Sequence, residues 1–321
     1  MLTNVCLHLL ILLSFLLASL WTGPAFGAVA GSRPSPQPTA YVKQKVLGVR
    51  THMVIVDLND SSMAVSVELA RKGIRTSEPF GSMVSRTRPV AAITGTFFCT
   101  KSLVPVGDIV VDGKRVHRGP IGACLGVTPD NKVKISPAYK GMNADWAGCD
   151  AGIRSGPRLI SEGRICINAR KEGFRERSLF GRRVRAAIGV TAHNKLLLVI
   201  VKTPVTFSEL AKVMRALGAV EAMNLDGGSS VALSYQNKIV VRPGRRLTNL
   251  IVINKRKPMA PIAASGVVVA AIKPALPVVP ISIPRLTTNT APTPAEPPTV
   301  SAVLPEQHVV LPEKVTGKIV E

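Results

Sequence analysis

The sequence predicts an α+β fold: a single domain built on a large mixed β-sheet with few helices, flanked by a signal segment and a disordered Pro-rich tail. Three observations predict it. Short apolar runs of strand length recur through the middle of the chain, separated by turn residues. One segment carries helical spacing with a cap at each end. The two ends of the 321-residue chain have compositions that build no core.

The first segment, residues 1–30, reads as a secretory signal. Residues 7–20 are apolar apart from His8, Ser14 and Ser19. The run breaks at Gly23-Pro24 and ends in small residues, with Ala28-Val29-Ala30 as a cleavage site and Ala25-Phe26-Gly27 as a second. It is short for a bilayer span, which takes roughly 20 apolar residues. No Lys or Arg precedes it, so retention as an uncleaved membrane anchor is the alternative to cleavage. The localisation expected is secreted, periplasmic or cell envelope.

Residues 31–257 form the folded domain, long enough for one sizeable core. Residues 51–58 and 63–69 alternate like strands around Asn59-Asp60-Ser61-Ser62. Residues 90–98 are apolar and broken by glycine, as a buried strand would be. Residues 108–111 and 115–116 flank Asp112-Gly113, a two-residue hairpin signal. Residues 185–191 and 195–202 form a second hairpin, and residues 231–235 and 238–241 a third around Gln236-Asn237. The helix begins at the capping box Thr206-Phe207-Ser208-Glu209. It continues through Leu210, Val213, Met214 and Leu217, and stops at Gly218.

The tail, residues 258–321, holds 12 of the chain's 25 prolines and no aromatic residue, so it reads as extended and disordered. Its four basic and four acidic side chains cancel, and residues 1–30 carry no charged side chain. The whole formal charge of +22 therefore falls on the middle domain. Such a field attracts polyanions. No aromatic-rich basic motif of the RNA-binding kind is present, so no specific nucleic-acid partner is expected. Cys99, Cys124, Cys149 and Cys166 form an even set with three possible connectivities, and four free thiols are the alternative. None has a partner at zinc-like spacing, so neither metal nor other cofactor is expected.

The segment Ala222-Met223-Asn224-Leu225-Asp226-Gly227-Gly228-Ser229-Ser230 carries the chemistry. An apolar run ends in a carboxylate, two glycines and two hydroxyls. A turn ringed by N–H groups and hydroxyls suits an anionic or polyhydroxylated ligand. The same pattern fits a β-hairpin whose Asp caps its own turn.

Several blocks in order resemble the phosphodiester glycosidase family. Ala92-Ile93-Thr94-Gly95-Thr96-Phe97-Phe98 resembles its A-I-N-G-(G/T)-F-F block, with Thr94 where the family has Asn. Gly156-Pro157-Arg158-Leu159-Ile160 with Gly163 resembles its G-P-x-L block. Arg185-Ala186-Ala187-Ile188-Gly189 resembles R-T-A-I-G, and Asn224 to Ser230 resembles N-L-D-G-G-G-S-S with one glycine fewer. Arg245-Arg246-Leu247-Thr248-Asn249 resembles the entry to the closing strand.

The resemblance implies an exported hydrolase cleaving a sugar-1-phosphodiester or a related anionic envelope glycan. That reaction needs a carboxylate for an oxocarbenium-like transition state and a cation for the phosphate. Asp226 is the candidate carboxylate and Arg185 the candidate phosphate clamp. Asn224, Gly227, Gly228, Ser229, Ser230, Arg158 and Thr94 are the candidate substrate-binding residues. Glu172 is a possible second acid in a charged loop. The rival reading is a non-catalytic envelope protein that binds anionic polymers with the same fold.

Overall fold

The computed structural model describes residues 37–256. The signal segment, residues 1–30, and the Pro-rich tail, residues 258–321, lie outside the described residues. Among these residues are two α-helices and seventeen strands in three sheets.

The largest sheet has seven strands. Its members are β1 (Thr39–Val46), β2 (Val49–Asp57), β10 (Arg158–Ser161), β11 (Arg164–Ile165), β12 (Arg183–Thr191), β13 (Lys195–Val205) and β14 (Ala219–Asn224). The order across it is β1-β2-β13-β12-β14-β10-β11. The central strands explain the continuous apolar run of residues 196–201. Leu196, Leu198 and Ile200 of β13 enter the central core, while Leu197 and Val199 pack on the opposite side against Leu210, Val213 and Met214. A strand covered on both faces has no need of polar alternation. The latter three belong to α2 (Phe207–Ala216), whose capping box joins Thr206 and Glu209 as expected.

A five-stranded sheet runs β16-β15-β4-β17-β3. It contains β3 (Met63–Leu69), β4 (Ala91–Thr94), β15 (Leu233–Tyr235), β16 (Lys238–Val241) and β17 (Asn249–Lys255). One face meets the central core through Val65, Ile93 and Ile251. The other is covered by α1 (Phe80–Thr87), where Phe80, Met83 and Val84 pack on Ala92, Leu250 and Val252. The third sheet, order β6-β5-β9-β7-β8, comprises β5 (Gly107–Val111), β6 (Lys114–Pro120), β7 (Ala123–Val127), β8 (Val133–Ser136) and β9 (Ala151–Ser155). Ile109, Leu125 and Ile153 bring it into the same central core.

The three expected hairpins form: β5–β6, β12–β13 and β15–β16. Asp112, Gly113, Gln236 and Asn237 all have positive φ, as tight hairpin turns require. One pairing implied by the sequence does not form. β2 and β3 are consecutive strands, yet β2 joins β1 and β13 while β3 joins β17. The turn at 59–62 carries the chain from one sheet to another. No helix among the described residues is long and apolar enough to cross a membrane.

Candidate functional site

Strand ends from all three sheets meet at one end of the domain. β14 finishes beside the middle of β12, with Asn224 opposite Ala187, and beside the start of β10, with Met223 opposite Arg158. β4 finishes beside the start of β17, with Thr94 opposite Leu250. β9 finishes beside the start of β7, with Ser155 opposite Ala123. Two hydrogen bonds stitch the sheets together there. The Asp226 amide donates to Gly95 O at 3.0 Å, and Thr96 Oγ1 donates to Arg154 O at 2.6 Å. Gly95 is glycine for want of space, because a Cβ would lie 2.0 Å from Asn249 Oδ1.

Asp226 stands just past the end of β14. The glycine-serine segment after it is not a hairpin. It forms a short 3₁₀ turn at Gly228–Ser230 and carries the chain from the seven-stranded sheet to β15 in the five-stranded one. Asp226 Oδ1 accepts the Gly227 N–H at 2.8 Å, and the Ser230 hydroxyl donates to the same carboxyl. Burial outweighs these bonds and the nearby Arg245 charge, and pushes the Asp226 pKa up to about 7. Ser230 is buried and Ser229 is exposed. Gly228 has φ +59, and its missing Cβ would sit 3.9 Å from Arg183 Nη1.

The other candidates divide. Asn224 is fully buried, and its Nδ2 donates to Gly156 O at 2.8 Å and Leu225 O at 2.6 Å. Its Oδ1 is a buried acceptor without a partner among the described residues, as is the neighbouring Ser155 Oγ. Thr94, the last residue of β4, is 1 % exposed, and its amide donates to Ala232 O. Arg158 stands at the right sheet end, but its guanidinium pairs with Glu221 at 2.7 Å, partway along β14.

Arg185 needs a correction. The expected topology holds: β12 and β14 are antiparallel neighbours, and Leu225 N donates to Ala186 O. The side chain is otherwise occupied. Arg185 Nε donates to Val205 O at 2.8 Å, and Nη2 donates to Leu179 O and Gly181 O at 2.7 Å. The guanidinium lies 3.9 Å from the Phe207 ring centroid. With 1 % of its surface exposed, it fastens the loop before β12 to the ends of β13 and α2. The cations beside the Asp226 turn are Arg245 and Arg183. The sequence marked Arg245 only as the start of a block and Arg183 only as part of a basic run.

Glu172 emerges as a second buried carboxyl. Both its oxygens lie 3.1 Å from the Arg158 amide, and the Ala123 amide also donates to it. Burial pushes its pKa up to about 7. It clamps the peptide at Gly156-Pro157, the same segment that Asn224 grips.

Comparison with known proteins bears on this arrangement. The family model described as phosphodiester glycosidase matches residues 87–254, just over half of the chain. A hypothetical protein from Synechocystis has a similar structure, with a TM-score of 0.61 at 16 % identity, covering 68 % of this chain. The chain spans 62 % of that protein's length. The catalytic domain of zebrafish N-acetylglucosamine-1-phosphodiester alpha-N-acetylglucosaminidase, auto-inhibited by its pro-peptide, matches with a TM-score of 0.58 at 19 % identity. That match covers 70 % of this chain and 86 % of the zebrafish domain. No curated protein matches the chain. The family match extends from the end of α1 through β17 and takes in Asp226, Asn224, Glu172 and both flanking arginines, so the chain belongs to the phosphodiester glycosidase family.

Proposed function

We propose that the protein is an exported hydrolase that cleaves glycosyl phosphodiesters at Asp226. The observation that carries this reading is the Asp226 carboxyl, buried where strand ends converge, with a pKa of about 7, Arg245 acting on it and Arg183 beside Gly228 in the turn that follows. A carboxyl poised near neutral pH exchanges protons readily with water or substrate. As a carboxylate it stabilises positive charge at the anomeric carbon, attacks that carbon or activates a water. The leaving phosphomonoester departs easily because its last pKa is near 6. It therefore makes little demand on a general acid.

Arg245 and Arg183 take over the phosphate-holding role first assigned to Arg185. A guanidinium matches phosphate oxygens in a planar fork and keeps its charge at any physiological pH. The exposed Ser229 hydroxyl and the Gly228 amide supply further donors to phosphate or sugar. Asn224 and Glu172 act one layer behind, fixing the Gly156-Pro157 peptide that borders the site. Glu172 is thus a positioning residue.

Export rests on the signal-like residues 1–30. The substrate class rests on family membership and on the concentration of positive charge in the domain. The test is sugar release from a panel of glycosyl phosphodiesters. Asp226→Asn is expected to lower kcat by a factor on the order of 10²–10⁴ while substrate still binds. A folded protein that releases no sugar from any member of the panel overturns the reading. If binding also survives Asp226→Asn unchanged and falls steeply with salt, the non-catalytic polymer binder replaces it.

A further inference from the structure

A cleft of about 650 Å³ lies away from the Asp226 turn, between α1 and the β15–β16 hairpin. Arg71, Arg86 and Arg242 line it together with Ser82, Ser85 and Asn237, and its lining contains no acidic side chain. Arg86 is paired with Glu68 and Glu78 from behind. Arg71 and Arg242 are exposed and make no ion pair among the described residues. Two exposed guanidiniums outside any ion pair, Arg71 with Glu78 in its neighbourhood, in a site lined by hydroxyls and an amide suit an anion with several oxygen acceptors.

The cleft is wired to the catalytic end by a short stretch of backbone. Arg242 lines the cleft, and Arg245, three residues on, acts on Asp226. Three residues span at most about 10 Å. Between them the Gly244 amide donates to Ser229 O at 2.8 Å, inside the Asp226 turn. Arg246 Nη2 donates to Ser77 O at 2.8 Å, and Leu247 and Glu78 exchange backbone hydrogen bonds of 3.0 and 2.9 Å. Residues 242–247 therefore touch the Asp226 turn on one side and, on the other, the segment leading into α1, whose residues wall the cleft.

We propose that this cleft is a second anion subsite, holding a neighbouring phosphate of a phosphate-bridged glycan chain whose scissile unit sits at Asp226. The inference deepens the proposed function: it makes the substrate polymeric, with repeating negative charges, rather than a single diester. One phosphate meets Arg245 and Arg183, and another meets Arg71 and Arg242.

The test uses the full chain carrying Asp226→Asn, so that bound substrate is not consumed. Calorimetry compares a phosphate-bridged tetrasaccharide with its single glycosyl phosphodiester unit, in this chain and in one also carrying Arg71→Gln and Arg242→Gln. Both arginines are exposed, and a melting curve checks that the added substitutions leave the fold intact. The tetrasaccharide is expected to bind at least about tenfold tighter than the monomer, a 1.4 kcal/mol gap. The double substitution should abolish that gap and leave monomer binding unchanged. Equal affinity for the two ligands, or a gap that survives the substitutions, overturns the proposal. So does tighter binding of a single-stranded oligonucleotide of equal charge, which would make nucleic acid the occupant. If the tetrasaccharide binds through Arg71 and Arg242 but no diester is ever hydrolysed, the cleft stands and the catalytic reading falls.

Discussion

At the scale of single residues, two buried carboxyls set the pH behaviour. Glu172 and Asp226 are both raised to about 7, from ordinary values of 4.5 and 3.8. The folded protein holds these protons while the unfolded chain releases them. Their contribution to stability is therefore fully present below about pH 4 and is lost as pH rises through 7. Glu172→Gln is expected to flatten part of that fall, measured by urea unfolding at pH 5 and pH 8; an unchanged slope would show that the carboxyl is ionised in the fold. Arg185 makes the contrasting prediction. Arg185→Met leaves three carbonyls short of a donor and should cost about 2–4 kcal/mol of stability. The folded variant should keep its KM for a glycosyl phosphodiester. A KM raised tens of fold at unchanged stability would return Arg185 to the phosphate. Sequence reasoning marked Asp226 because its segment, which alone fits a capped turn, stands in order among the other blocks that resemble the family. It misjudged Arg185 because the carbonyls that occupy its guanidinium belong to Leu179, Gly181 and Val205, and only the folded chain brings all three to it.

At the scale of elements, legibility follows local signals. α2 was readable from end to end because its stop and start are written in side chains: Thr206 and Glu209 cap each other, and Gly218 has φ +86. Thr206→Ala should lower stability by about 1 kcal/mol, read from the urea midpoint at constant m-value. A loss of a few tenths would mean that packing under Phe207 and Leu210 holds the first turn without the cap. α1 was missed because it lacks such writing. It is eight residues long, follows Pro79 and has no side-chain cap. What stabilises it is burial of Phe80, Met83 and Val84 on the five-stranded sheet, a tertiary effect. The hairpins at Asp112-Gly113 and Gln236-Asn237 were readable because positive φ restricts the residues that fit. The turn at 59–62 and the segment after Asp226 look like hairpins locally but join different sheets. A turn reverses the chain in the same way whether the next strand pairs with the last one or crosses the core.

At the scale of the whole molecule, three sheets share one core, and the last of the described strands closes it. β17 lies between β4 and β3, in the interior of the five-stranded sheet. A chain ending after residue 257 should melt within about 1–2 °C of the full-length protein. A larger drop would place tail residues on the domain and move its boundary. The sequence by itself determined the β-rich class, the capped helix, the three hairpins and the Asp226 segment, because each depends on side chains within a few positions of one another. Family membership was legible for a related reason: the blocks carrying it are short and keep their order. Only the tertiary structure decided which sheet each strand joins, which arginines face Asp226, and that Glu172 is buried against the Arg158 and Ala123 amides. Those outcomes depend on which distant segments the shared core brings together at the common strand ends, and burial there sets both the hydrogen bonds and the charges.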